Sequence, residues 1–187
     1  MKKLIAILLL CVSVQAGALE LGGAKLDDTV QVGNAPLVLN GAGVRSIFMF
    51  DMYVAGLYLS EKKHTAEAVF ADAGAKRIAL HVVVGEGETE RFLHGFRKGI
   101  EKNRSEQEVA ALRQRMDALD HMFDANKTVK KNDVIAFDWL PGEGTRVSLN
   151  GAELGRIAGE DFYRALLSIW IGEKPVKDSL KQGLLGG

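Results

Sequence analysis

From Ser46 to Leu59 the chain runs fourteen residues with a single formal charge, Asp51, and this run limits what can be built around it. A helix needs about 20 apolar residues to span a bilayer, so the run is too short for that. Rich in β-branched and aromatic residues, it reads as strand buried on both faces. Arg45 precedes it, flanked by Gly41 and Gly43. A guanidinium buried beside such a strand is costly unless an anion or strong acceptor meets it. That group is either a protein carboxylate, such as Asp51, or a ligand.

The N-terminus sets an expected compartment. Lys2 and Lys3 are followed by an apolar core from Leu4 to Val14 and then by Ala16-Gly17-Ala18, with small residues at signal-peptidase spacing. Cleavage is expected after Ala18, with Ala16 the alternative. The apolar core is too short for a stable membrane anchor. Cys11 lies inside that core behind Leu10, where a lipidation site wants a small residue. The reading is an exported, periplasmic domain over residues 19–187.

Removal of this leader also removes Cys11, the only cysteine, so disulfides cannot hold the exported part and its core must. The leader takes Lys2 and Lys3 from 24 cationic side chains, against 24 acidic ones, leaving a charge of about −2. That balance, without a long basic run, argues against nucleic acid as partner. Oligomeric state is not legible.

Periodicity divides the chain into strands and two blocks of helix. Ala24–Val32, Pro36–Leu39 and the Arg45 segment alternate between Gly and Asn turn signals. A short helix is expected over Thr65–Ala73 and a strand over Arg77–Val84. Thr89 is placed to cap a helix with Phe92, Phe96 and Ile100 on one face, weakened by Gly95 and Gly99, which let another element approach. Gly85-Glu-Gly-Glu88 reads as the turn entering it. Ser105-Glu-Gln-Glu108 is a capping box, followed by the stripe Val109, Leu112, Met116 and Leu119. Asp133–Leu140 is a strand. Thr145–Leu149 and Glu153–Ile157 flank Asn150-Gly151, a strong hairpin signal. A last helix spans Glu160 to Ile171, with Phe162, Leu166, Ile169 and Trp170 facing the core, Gly172 at its C-cap and Pro175 beyond. The class is α+β: a large antiparallel sheet with helices packed on one face.

Common chemistries find little support. His64, His81, His94 and His121 show no ligand spacing, so no metal or other cofactor is expected; His64 and His121 read as solvated, His81 and His94 as packing residues. No nucleophile elbow or paired base occurs. The acidic residues of Gly85–Glu88 would repel phosphate. Asn126-Lys-Thr128 matches a glycosylation sequon.

Arg45 and Tyr53 share parity, so on a regular strand both point to one face. Eight extended residues cover about 26 Å. The two cannot meet at one small group without a turn or bulge between them, near Asp51. One reading has Arg45 paired with a carboxylate and Tyr53 as a core aromatic; the other has both holding a ligand.

Gly43-Val-Arg45 with Tyr53-Val-Ala-Gly-Leu-Tyr-Leu59 resembles the first pocket-forming strands of the chalcone isomerase-like superfamily. Phe162–Val176 with Ser179–Gly183 resembles that family's last helix and the turn after it. The resemblance implies an open-faced sandwich of sheet and helices with a ligand cleft between them. True isomerases of this family close a chalcone to a flavanone with the arginine, a strand threonine, and a tyrosine and asparagine from a helix. Non-catalytic relatives hold a fatty-acid carboxylate with the arginine and a strand tyrosine. Here Tyr53 stands where the second group has its tyrosine. The helix Thr89–Gly99 offers Arg91 or Phe92, and Lys98 or Gly99, where the isomerases have tyrosine and asparagine. The departure favours a binder of an apolar carboxylate at Arg45 and Tyr53, with no catalytic residue. The alternatives are an isomerase of unknown substrate and a structural or partner-binding domain.

Overall fold

The computed structural model describes residues 17–187. Residues 1–16 of the expected leader, with Cys11 and the alternative cleavage position after Ala16, lie outside the described residues. The chain folds into a seven-stranded antiparallel sheet, its strands joined by short turns except where helices are inserted after β5 and β6. In chain order its strands are β3 (Thr29–Val32), β4 (Ala35–Ile47), β5 (Phe50–Leu59), β6 (Lys76–Val82), β9 (Val134–Leu140), β10 (Gly144–Leu149) and β11 (Ala152–Ile157). Across the sheet they run β11-β10-β9-β6-β5-β4-β3. Two ribbons flank it: β1 (Ala18–Leu21) with β2 (Ala24–Asp27), and β7 (Glu86–Glu88) with β8 (Thr128–Lys130).

Five helices cover one face: α1 (Ala66–Ala71), α2 (Thr89–Asn103), α3 (Glu106–Met122), α4 (Glu160–Ile171) and α5 (Asp178–Leu184). Their apolar side chains join those of alternate strand residues, Leu57, Leu80 and Phe137 among them, in one core. A smaller core on the opposite face gathers Leu37, Tyr58, Ala79 and Leu140. The β1–β2 ribbon lies on that second face, where Leu26 fills the space above Gly56. The helices therefore cover one face as expected, but the other is not bare.

Two glycines of the sequence reading acquire reasons. A Cβ at Gly43 would stand 2.8 Å from Leu180 Cδ1, and one at Gly99 would stand 2.8 Å from Ile169 Cγ2. The first lets α5 lie on β4, and the second lets α2 close on α4. Gly95 faces open space, so it admits no neighbour.

Several expectations are corrected. The segment 24–32 is two strands broken at Asp28, because β2 leaves the main sheet to pair with β1. The run 46–59 is not one buried strand. It bends at Phe48-Met49, and only its second half, from Tyr53 to Leu59, is buried throughout. Thr89 does not cap α2. It is the first helical residue, and its hydroxyl donates to the Asn126 carbonyl at 2.6 Å. Glu86–Glu88, read as a turn, pairs as β7 with β8, and Ser179–Gly183 lies within α5. The capping box at Ser105 and Glu108 forms as read, and Asn150-Gly151 closes β10 on β11 with φ of 52° and 80°.

Candidate functional site

The bend at Phe48-Met49 decides the geometry of the Arg45 segment. It turns β5 back along β4, with Ile47 opposite Phe50 and a bulge after Arg45. Arg45 and Tyr53 thereby become direct cross-strand partners. Side chains so opposed share one face, with Cβ atoms about 5 Å apart. Eight residues of extended chain are folded to a single rung of the ladder.

Tyr53 points into the helix-side core and is 6% exposed. Its ring lies 6.2 Å from that of Phe92, and its oxygen accepts from Trp170 Nε1 at 2.9 Å. A buried indole needs such an acceptor. The sequence placed Trp170 only as a core residue, and that need was the signal that it sought a polar partner. Burial pushes the Tyr53 phenol up to about 12, against opposing contributions from the Trp170 bond and the Arg45 charge. Tyr53 therefore stays protonated below about pH 10. Its own hydrogen has no acceptor among the described residues, since the Trp170 bond uses only an oxygen lone pair.

Arg45 is half-buried. Asp51 is not its partner: Asp51 Oδ1 accepts from Ser46 Oγ at 2.7 Å. No carboxylate among the described residues forms a salt bridge with Arg45, and its one protein bond runs from Nη1 to the Ser46 carbonyl at 2.6 Å. A guanidinium carries five N–H donors, so most of its capacity is unspent. Lys177, just before α5, donates to Ser46 Oγ at 3.2 Å and adds a second cation beside the pair.

The positions at which α2 was compared with the isomerases give no phenol or amide. Arg91 is solvent-facing and paired with Glu88. Phe92 packs in the core, Lys98 is exposed, and Gly99 lies under Ile169. His94 is exposed, contrary to its reading as a packing residue. It lines a surface groove of about 630 Å³ between α2, α3 and β8. That groove touches neither Arg45 nor Tyr53, and Glu88, Glu90, Asp120 and Asp124 on its wall disfavour an anion. The Arg45–Tyr53 pair is thus the better candidate for an acid.

A family model described as chalcone isomerase-like matches residues 18–186. The chain belongs to the chalcone isomerase-like family. No curated protein sequence matches it. A fatty-acid binding protein of Arabidopsis thaliana, known from its crystal structure, superposes with a TM-score of 0.71 over 90% of this chain and 96% of that one, at 15% sequence identity. At that identity the likeness establishes the family fold, a large antiparallel sheet under a helical layer. Among the described residues no group of His, Cys, Asp or Glu converges on a metal position, and no helix is long and apolar enough to cross a membrane.

Proposed function

We propose that the protein is a non-catalytic binder of a fatty acid or similar apolar carboxylate, exported after removal of its leader near Ala18. One observation carries the reading: the cross-strand pair of Arg45 without a carboxylate partner and Tyr53 with an unspent hydroxyl proton. A ligand carboxylate accepts from both, one bond charge-assisted and one neutral. The tail lies against the aromatic layer of Phe92 and Phe96, parting it from the sheet, and each methylene taken from water adds about 0.8 kcal/mol. Fatty-acid binding, the function of the plant protein of like fold, agrees with this chemistry.

Titration of the purified protein with a saturated C16 acid, followed by native mass spectrometry, tests it. The expected result is a one-to-one complex whose affinity falls at least tenfold in Arg45→Ala, because a hydrogen bond to a charged group contributes about 1.5–3 kcal/mol. Unchanged affinity in Arg45→Ala overturns the site. The close packing of Tyr53 against Trp170 favours a second reading, a structural or partner-binding domain. Failure of wild-type protein to bind the acid selects that reading.

A further inference from the structure

The β4–β5 hairpin ends in an apolar tip that the binding site does not use. Ile47, Phe48, Met49 and Phe50 are 43, 97, 91 and 69% exposed, and among the described residues the only other exposed large apolar side chain is Leu19. Soluble domains scatter such side chains singly; a contiguous cluster with a polar rim marks an interaction surface. The backbone points the same way. Phe48 has φ of 53°. A positive φ at the first central position of a two-residue hairpin turn is normally given to glycine. The other two-residue turns of the sheet give positive φ to Gly33, between β3 and β4, and to Asn150-Gly151. The β4–β5 turn puts a phenylalanine where the local rule asks for its absence, and such departures concentrate at functional positions.

We propose that the Phe48–Met49 tip seats in the surface of a lipid bilayer and holds Arg45 at headgroup depth. A convex tip offers no walls of its own, and a soft apolar medium covers it from all sides at once. The charges at its base suit a phosphate-bearing surface. Arg45 has no carboxylate partner among the described residues, Lys177 reaches Ser46, and Asp51, the hairpin's own carboxylate, is engaged by Ser46. The lengths agree. Interfacial apolar groups sink about 5–10 Å, and three extended residues from Phe48 to Arg45 cover about 10 Å. Ile47 and Phe50 are paired in the ladder, so only the turn itself brings unpaired backbone groups, which the hydrated interface satisfies. The tip therefore lies in the interface and does not cross. Its link to Arg45 rests on the acid-binding reading: a water-insoluble acid leaves the bilayer within reach of the clamp.

Flotation of the exported protein with vesicles of phosphatidylcholine and phosphatidylglycerol, three to one, tests the seating. Wild type is expected to float with the vesicles. Phe48→Trp is expected to give a blue-shifted emission quenched by brominated acyl chains. The double substitution Phe48→Asn with Met49→Gly, which supplies favoured turn residues and so preserves the fold, is expected to lower vesicle affinity at least tenfold. Its affinity for C16 acid in vesicle-free buffer should match wild type. Unchanged flotation of the double variant, or no vesicle-dependent shift in Phe48→Trp, overturns the proposal, including in favour of a protein partner for the tip. Flotation that needs Phe48 in a protein that binds no acid upholds the seating and removes only the binder reading.

Discussion

β5 carries two arginine–tyrosine pairs, one on each face, and they differ in what meets the cation. On the helix-covered face Arg45 of β4 stands opposite Tyr53; on the other, Arg77 of β6 stands opposite Tyr58. The second pair is completed from within. Fully buried Asp138 on β9 accepts from Arg77 Nε at 2.5 Å and Nη2 at 2.8 Å, and from Arg146 Nη2 at 2.6 Å. Arg45 has no such partner among the described residues. β5 thus faces one cation whose carboxylate is built into the fold and one without a carboxylate from the described chain. Cross-strand register alone does not separate the two; the presence of Asp138 on the next strand does.

Removing the internal carboxylate is the strongest test of that contrast. Asp138→Ala leaves Arg77 and Arg146 facing each other without compensation, and is expected to cost about 3–5 kcal/mol in urea unfolding. Replacing Arg77, Asp138 and Arg146 together by apolar residues of similar volume should restore most of that loss. If Asp138→Ala costs under 1 kcal/mol, the triad is not what holds this face.

The tyrosines offer a pH test of next size. Folding holds the Tyr53 proton to about pH 12, above its ordinary value of 10, so its contribution is complete below pH 10 and is lost as pH rises toward 12. Two pH units correspond to about 3 kcal/mol. Wild type should therefore lose about that much more stability than Tyr53→Phe between pH 10 and 12. Parallel curves would place the phenol outside the buried environment described. Tyr58, also raised to about 12 by burial with the Asp27 charge adding to it, titrates in both proteins and cancels in the difference.

The smallest expected stability change is the most discriminating. Arg45→Ala should alter unfolding free energy by no more than about 0.5 kcal/mol, as for a surface substitution away from an internal network. Beside its tenfold loss of acid affinity, that result separates a ligand-directed cation from a structural one. A loss of several kcal/mol, with acid affinity intact, would make the two faces alike.

Local devices were the most legible part of the chain. The Ser105 capping box, the Asn150-Gly151 turn and the bounds of α4 each depend on residues within a few positions of one another, where propensity and hydrogen bonding act without help. The shared face of Arg45 and Tyr53 was likewise readable from parity. Their meeting was not, because Phe48-Met49 carries no Gly, Asn or Asp to announce a turn, and the segment read as continuous strand. α5 escaped for a related reason. Its seven residues include Gly183 and gain their order from lying on Gly41 and Gly43 of β4. The three-residue strands β7 and β8 pair across about forty positions, beyond any local signal.

By itself the sequence determined an α+β chain with a strand-flanking arginine, a tyrosine of matching parity, and a helix without the isomerase phenol and amide. The class, the flanking arginine and the shared parity follow from residue type and spacing; the comparison with the isomerase helix follows from the family resemblance. Only tertiary structure decided that Arg45 and Tyr53 share a rung, that Trp170, 117 positions from Tyr53, donates to its hydroxyl, and that Asp51 turns to Ser46 instead of Arg45. Each of these depends on where distant segments are brought by sheet register and helix packing. Periodicity fixes the face a side chain occupies, but the neighbour it meets there comes from another part of the chain.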